Sequence, residues 1–571
     1  MVAQIISVTM AAGLLISGAS AAPVITSVLN AASNKDPRLP NSSIAKGSIF
    51  IVKGTGLGPA TLMIAPRAFQ STSLGGTSVK VTVNGQSVDA LMYYTSDTQI
   101  AALLPSNTPV AGPDSASGNL QATITVTYGG ESSDPTPFHG VVNSSLGIFT
   151  IDSSGSGPAI VTYPDYSLVS PYKAANCGGP NTVCGAANPG DTLILWATGF
   201  GPVAGDASGV GLGVNNLNLP YTLWLGGVQA TITYQGRSGC CIGEDQIVFT
   251  VPNNVPTGCA VPLVIQLVNS ISNSTVIPVA NGSRSCTPTN PMVADERVQK
   301  LGTLGSFTVG VVELDHLLDA AQTALVDTGV FTFVKASGIP VGLQPFFASY
   351  FDVPATGTCT VLGTRSPVDL LFNNFTLAPI DAGSNFTVTG PRGTATVTAS
   401  PGVRVPVGTG GFVGSGGDFT ITGGPGTDVG AFTARLTIPI APRLTSPSSA
   451  NGLTVTRSQG MTVSWAAANG SPALTGSLPI VLSTAISFSD GNSTGGFLAT
   501  AVCTADAAAG TFTIPPYALM GLPGTGGGAY LGFRPRDLLP SAMALFSANG
   551  LDVGIVQAFR DDTVLNNFNL R

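Results

Sequence analysis

Apolar and polar positions alternate along most of this chain in short runs, and Gly or Pro closes nearly every run. Leu453-Thr454-Val455-Thr456 and Met461-Thr462-Val463-Ser464-Trp465 keep a strict period of two, the pattern of a strand with one buried face. Runs rich in Val, Ile and Thr predict further strands over 48–53, 78–83, 89–94, 121–128, 261–268 and 274–279. One stretch departs from this texture. Over 314–325 (Leu-Asp-His-Leu-Leu-Asp-Ala-Ala-Gln-Thr-Ala-Leu) apolar residues recur at helical spacing, predicting a single helix downstream of the N-terminal segment.

The strand pattern is written twice. Gly54-Thr55-Gly56-Leu57-Gly58-Pro59 returns as Ala197-Thr198-Gly199-Phe200-Gly201-Pro202. Val83-Asn84-Gly85-Gln86 returns as Leu225-Gly226-Gly227-Val228, and Asp97-Thr98-Gln99-Ile100 as Glu244-Asp245-Gln246-Ile247. The landmarks keep their order at an offset of roughly 140 residues, the length of a whole domain rather than of a solenoid unit. Glycines at alternating positions after a β-run allow positive φ and close strand approach, and the following Pro ends pairing. A phosphate-cradling loop would need the Lys-Ser/Thr and the helix that are missing here. The expected organisation is two modules over 22–147 and 148–286, a Pro-rich linker over 287–296, then β-rich modules over 297–441 and 442–571.

Composition narrows the class. The chain has 571 residues, 9% of them charged, with 72 Gly and 42 Pro, and a mean hydropathy of +0.36. Beyond the N-terminal segment no run reaches the roughly 18 apolar residues a membrane helix requires, so the hydropathy reflects buried sheet faces. A net charge of −7 argues against nucleic acid, which favours clustered Lys and Arg. The stretch over 5–18 is mostly apolar and Ala19-Ser20-Ala21 follows it, which predicts a signal peptide over 1–21 and a secreted or cell-surface location.

Eight cysteines with no Cys-x-x-Cys spacing fit an oxidising compartment. Cys177 and Cys184 flank a turn-rich insert that a disulfide would close. Cys259 and Cys286 bracket two predicted strands, so a hairpin would bring them together. Cys240 and Cys241 are adjacent; they form either a vicinal disulfide, a strained ring of unusual redox character, or separate bonds to other partners. Cys359 and Cys503 pair by elimination.

Asn30-Ala31-Ala32-Ser33, the Gly-Thr-Gly-Leu-Gly-Pro turn, Val83-Asn84-Gly85, the Asp97-to-Ile100 strand start and Ser145-Leu146-Gly147-Ile148-Phe149-Thr150 form one ordered set. Ala187-Asn188-Pro189-Gly190-Asp191 and Ala197-to-Pro202 form another. Together they resemble the uncharacterised secreted-protein domain abundant in acidobacteria, the Solibacter-type domain, itself similar to TIG/IPT immunoglobulin-like modules. The resemblance covers 22–286 and implies two Ig-like sandwiches, with no catalytic residue to carry over. The remaining half resembles acidobacterial secreted proteins of unknown function.

Candidate chemistry is sparse. Gly423 to Gly430 matches one copy of a calcium-binding nonapeptide, but that site needs stacked neighbouring turns. Leu522-Pro523-Gly524-Thr525-Gly526 spells a sortase signal without the apolar stretch and basic tail that must follow. There are two histidines, His139 and His316, which supply a His-dependent triad or a His-based zinc site poorly. Four Glu (Glu131, Glu244, Glu296, Glu313) and turn-bound Asp residues leave only paired-carboxylate hydrolysis open. The reading is therefore an all-β chain of tandem immunoglobulin-like β-sandwiches followed by a β-rich half of about two modules. It needs no cofactor or metal, is not an enzyme, and serves extracellular adhesion, structure or binding. The expected partners are an extracellular glycan or protein and, in self-association, other copies of the chain. The alternatives are a glycan-active enzyme with its catalytic part in 297–571, and a subunit of a self-assembling surface polymer.

Overall fold

The computed structural model describes residues 21–571, apart from 67–68, 112–121, 173–182, 204–216, 218, 319–323, 364–374, 469–472, 490–493, 534–541 and 561–562. Residues 1–20 of the segment expected as a signal peptide, and Cys177, lie outside the described residues.

In the first module the strands are β1 (Val24–Asn30), β2 (Ile49–Thr55), β3 (Thr77–Val83), β4 (Gln86–Asp89), β5 (Leu91–Thr95), β6 (Gln99–Leu103) and β7 (Ala122–Tyr128). In the second they are β8 (Gly147–Ile148), β9 (Thr192–Thr198), β10 (Tyr221–Leu225), β11 (Val228–Gln229), β12 (Thr231–Arg237), β13 (Asp245–Thr250) and β14 (Gly258–Leu267). One sheet of the first module runs β1-β2-β6-β5, and its counterpart runs β8-β9-β13-β12. The facing sheets run β4-β3-β7 and β11-β10-β14. Along these paths the two modules match strand for strand.

Turn chemistry explains the match. Asn84 and Gly85 between β3 and β4 both have positive φ (49° and 79°), as do Gly226 and Gly227 between β10 and β11 (58° and 78°). Two consecutive positive-φ residues make the tight hairpin turn whose twist suits paired strands. Alternation does the rest. Val79, Val81, Val83, Ile124 and Val126 from one sheet meet Val52, Ile100 and Ala102 from the other in a single buried core. Leu193, Leu195, Leu223, Leu225, Ile247, Phe249 and Leu263 do the same in the second module.

The C-terminal half departs from the sequence reading in three places. The first is the helix expected over 314–325. Residues Ser306–Leu318 form β15, paired antiparallel over thirteen positions with β16 (Leu325–Ser337). Residues 319–323 lie outside the described set. Val312 and Leu314 enter the core while Glu313 points to the other face, and β15 sits between neighbours on both sides, so sheet packing overrides local helical spacing. The described α-helices are two short ones, Glu296–Leu301 and Pro516–Met520. The second is the linker over 287–296. It is anchored: Asp352 accepts hydrogen bonds from the Asn290 amide at 2.7 Å and the Thr289 amide at 3.2 Å. Asn290 caps a 3-10 turn, Pro291–Ala294, that buries Met292 and Val293.

The third concerns the division at 441. The strand β17 (Thr358–Leu362) pairs antiparallel with β18 (Thr494–Asp506), and β19 (Val553–Arg560) pairs parallel with β15. Segments on either side of 441 therefore share two sheets. Cys359 and Cys503 stand directly opposite each other across β17 and β18 and are disulfide-bonded, both fully buried.

Candidate binding cleft

The modules meet at a buried ion pair. Arg237 ends β12, Asp245 begins β13, and the two are cross-strand partners. The Arg237 guanidinium bonds the Asp245 carboxylate, with the side chains 3% and 0% exposed. Its other arm donates to Gly201 O at 3.0 Å and, across the junction, to Gly47 O at 2.8 Å. The second Asp245 oxygen accepts from the Phe200 amide at 2.9 Å. Every polar end of this buried pair that is described thus has a partner, which such a pair requires. Further bonds span the junction: Ile49 N to Thr198 Oγ1 at 3.0 Å, and Tyr93 OH to Ile242 O. Gly47 has φ of 74°, and a Cβ there would lie 2.6 Å from the Arg237 guanidinium.

Between β12 and β13 the second module carries a seven-residue loop, Ser238 to Glu244, beside which a cleft of about 600 Å³ opens. Its floor comes from alternation in β9. Leu195 and Ala197 are buried, so Trp196 between them faces outward, half-buried, with its indole N–H donating to Thr162 Oγ1 at 3.0 Å. Phe149 and Ile160 flank it through backbone bonds to Trp196 (Phe149 N to Trp196 O at 3.1 Å, Trp196 N to Ile160 O at 3.2 Å).

Tyr166 forms one rim. It is 70% exposed yet held in place, at φ of 63°, with its amide bonded to Tyr163 O at 2.9 Å. Asp165 fixes the same turn by accepting from the Ser167 amide at 3.0 Å and the Val183 amide at 2.9 Å. The Tyr166 and Trp196 ring centroids stand 6.2 Å apart with planes inclined by 35°. A bulky residue at positive φ is uncommon and costs free energy that surrounding contacts must supply.

The opposite rim is polar. Ser238 Oγ donates to Glu244 Oε2 at 3.2 Å and accepts from the Cys240 amide at 3.2 Å. Burial pushes the Glu244 carboxyl above its usual range, against the lowering effect of the Ser238 bond. Cys240 and Cys241 are bonded to each other. Their sulfurs and a Glu244 oxygen lie within 4.8 Å of one another, but disulfide sulfurs are not the thiolates a metal takes.

Of the other cysteines, Cys259 and Cys286 are bonded within a small buried cluster with Ala186 and Ala280. Cys184 is disulfide-bonded, and its expected partner Cys177 lies outside the described residues. The cysteine reading located the loop of Cys240 but not the cleft. The sequence reading did not single out Trp196 or Tyr166 and met Glu244 only as a repeat landmark and one of four Glu, because Leu193 to Ala197 is an unbroken apolar run with no alternation to mark Trp196 as outward. His316 Nδ1 lies 2.8 Å from Asp327 Oδ1 in the C-terminal half, and His139 is lowered by burial; neither approaches the cleft lining. The Gly423-to-Gly430 run joins two paired strands, its turn closed by Asp381, which accepts from the Thr427 amide at 2.9 Å.

A second, smaller cavity of about 190 Å³ lies where both modules meet the C-terminal half, lined by Lys35, Asn34, Asn273, Val361 and Tyr517 among others. Lys35 Nζ donates to Ile271 O at 2.9 Å, and burial pulls its ammonium down to about 7.

No protein-family profile matches this chain, and no curated protein matches it. The Solibacter-type and TIG/IPT resemblance therefore gains no support from them. Among solved structures, the I9–I11 tandem of titin is 8% identical, covers 68% of this chain and 92% of its own, with a TM-score of 0.12. Domains 4–9 of the S-layer protein SbsC are 10% identical, covering 95% and 66%, at a TM-score of 0.16. The chain is all-β, built mainly from antiparallel sheets packed around several buried cores.

Proposed function

We propose that this chain is a non-catalytic extracellular protein with a structural or adhesive role, whose modules 22–147 and 148–286 act as one rigid unit that displays a binding surface. The observation that carries the reading is the junction. Arg237, Asp245 and Gly47 tie two equivalent sandwiches through a fully partnered buried ion pair, whereas modules joined by flexible linkers move independently. Disulfides at Cys259–Cys286 and Cys359–Cys503 suit an oxidising exterior. So does the resemblance to secreted acidobacterial domains. Self-association of copies belongs to the same reading.

The test is cosedimentation of the purified chain with insoluble cell-envelope material, alongside an assay for released reducing sugar. Binding without release is expected. Absence of cosedimentation, together with a monomeric state at high concentration, removes the structural reading.

One observation favours a second reading, a glycan-active enzyme in 297–571. Glu313 and Asp315 stand two apart on β15, with Arg404 bonded to both. Burial, reinforced by the Glu313 charge, pushes the Asp315 carboxyl up to about 8. A neutral carboxyl beside a second carboxylate is the pairing acid–base hydrolysis uses. Sugar release abolished by Asp315→Asn would establish that reading instead.

A further inference from the structure

We infer that the cleft of Trp196, Tyr166 and Glu244 is a glycan-binding site, selective for neutral or amino-sugar oligosaccharides with equatorial linkages. This rests on the reading of the chain as a binding protein and names the ligand class. Three observations support it. The first is the aromatic pair. A pyranose with equatorial hydroxyls carries its C–H bonds on two flat apolar faces and its hydroxyls around the edge. An aromatic face, negative at its centre, attracts such C–H bonds while excluding water. Trp196 and Tyr166, adjacent at 6.2 Å, offer two such surfaces side by side.

The second is pre-organisation. Tyr166 is 70% exposed, so most of its ring beyond the contact with Trp196 faces solvent. Yet the turn around it is fixed by the Asp165 bonds and by its own amide. A ring held open in a left-handed conformation loses little freedom when a ligand stacks on it, which favours affinity.

The third is the polar complement. Glu244 and Ser238 line the same cleft as the rings, in a partly buried setting, and can exchange hydrogen bonds with edge hydroxyls. Carboxylate and hydroxyl acceptors suit sugar O–H donors, and a few placed polar groups among apolar walls are the usual makeup of a ligand site. Charge narrows the class further. Glu244 lines the cleft, and no Lys or Arg is among its described lining residues. Uronates and sulfated glycans would meet repulsion without a cationic partner.

The experiment is isothermal titration of the full-length protein with cellohexaose, chitohexaose and polygalacturonate. At least one neutral hexaose should bind saturably, and polygalacturonate should not. Trp196→Ala and Tyr166→Asn should each weaken binding by about tenfold or more, the loss of one aromatic contact. Asn accepts left-handed backbone, so Tyr166→Asn keeps the turn and remains informative even where Trp196→Ala disturbs β9. Lack of saturable binding to either hexaose, retention of affinity in both variants, or preference for polygalacturonate would each overturn the assignment. Envelope cosedimentation that persists while both hexaoses fail would sink the glycan site alone and leave the structural reading standing.

Discussion

The two N-terminal modules have the same strands in the same order, yet they treat equivalent positions differently. In the first, the Leu57 amide bonds a backbone carbonyl, Asp97 O, at 2.9 Å. In the second, the matching Phe200 amide bonds a side chain, Asp245 Oδ2, at the same distance. Asp245 occupies the position of the exposed Thr98, and its partner Arg237 reaches back to Gly47 of the first module. Trp196, the floor of the cleft, stands where the first module has the exposed Lys53. The turn from β5 to β6 is short, whereas the turn from β12 to β13 carries the seven residues with Cys240, Cys241 and Glu244. Duplication preserved what the core needs. Loops and outward positions, which the core does not constrain, diverged into a junction and a cleft.

This contrast can be broken most forcefully at Arg237. Arg237→Met should leave Asp245 buried and unpaired, destabilising the chain by about 3–5 kcal/mol in denaturant titration. Replacing Asp245 with Asn in the same background should recover part of the loss, because the orphaned charge is then gone. Thr98→Ala, at the equivalent place in the first module, should stay within about 0.5 kcal/mol. Equal effects at the two positions would erase the asymmetry.

The stapling is also one-sided, since residues 22–147 contain no cysteine. Replacing both Cys259 and Cys286 with Ala should cost about 2–4 kcal/mol by freeing the unfolded chain. Protease sensitivity should appear in the second module while the first stays protected. Preferential cleavage of the first module would contradict this.

A smaller effect separates the N-terminal pair from the C-terminal half. The folded chain holds the Asp315 proton up to about pH 8, because burial and Glu313 oppose the charge. The unfolded chain releases it near the ordinary carboxylate value of 3.8. Between these values the unfolded chain binds fewer protons, so this contribution to stability falls as pH rises. Asp352, raised by burial to about 6, adds the same sign over a narrower window. Asp315→Asn should flatten the decline of Tm with rising pH; an unchanged slope would remove Asp315 as its source.

The duplicated fold was legible because its cause is local. Asn84-Gly85 and Gly226-Gly227 announce their turns by composition, and the spacing of Val79, Val81 and Val83 announces a face. The strand β15 was misread because helical spacing over 314–325 is also local. What decides its state is pairing with β16 and with β19, whose Gln557 lies beside Glu313 from 244 positions away. The cleft failed for a related reason. Phe149, Tyr166, Trp196 and Glu244 come from four separate segments, and only the closure of the second sandwich brings them together.

Hydrogen exchange on the full-length chain, comparing the native protein with Arg237→Met, tests the central claim that the duplicate modules are bound into one unit through this junction. In the native chain, the amides of 44–50 and 237–245 should be as protected as the strand cores of β3 and β10. In Arg237→Met, those two segments should exchange much faster together while β3 and β10 keep their protection. If the segments exchange rapidly in the native chain already, or if the substitution leaves both unchanged, the modules are not joined through Arg237 and the account fails.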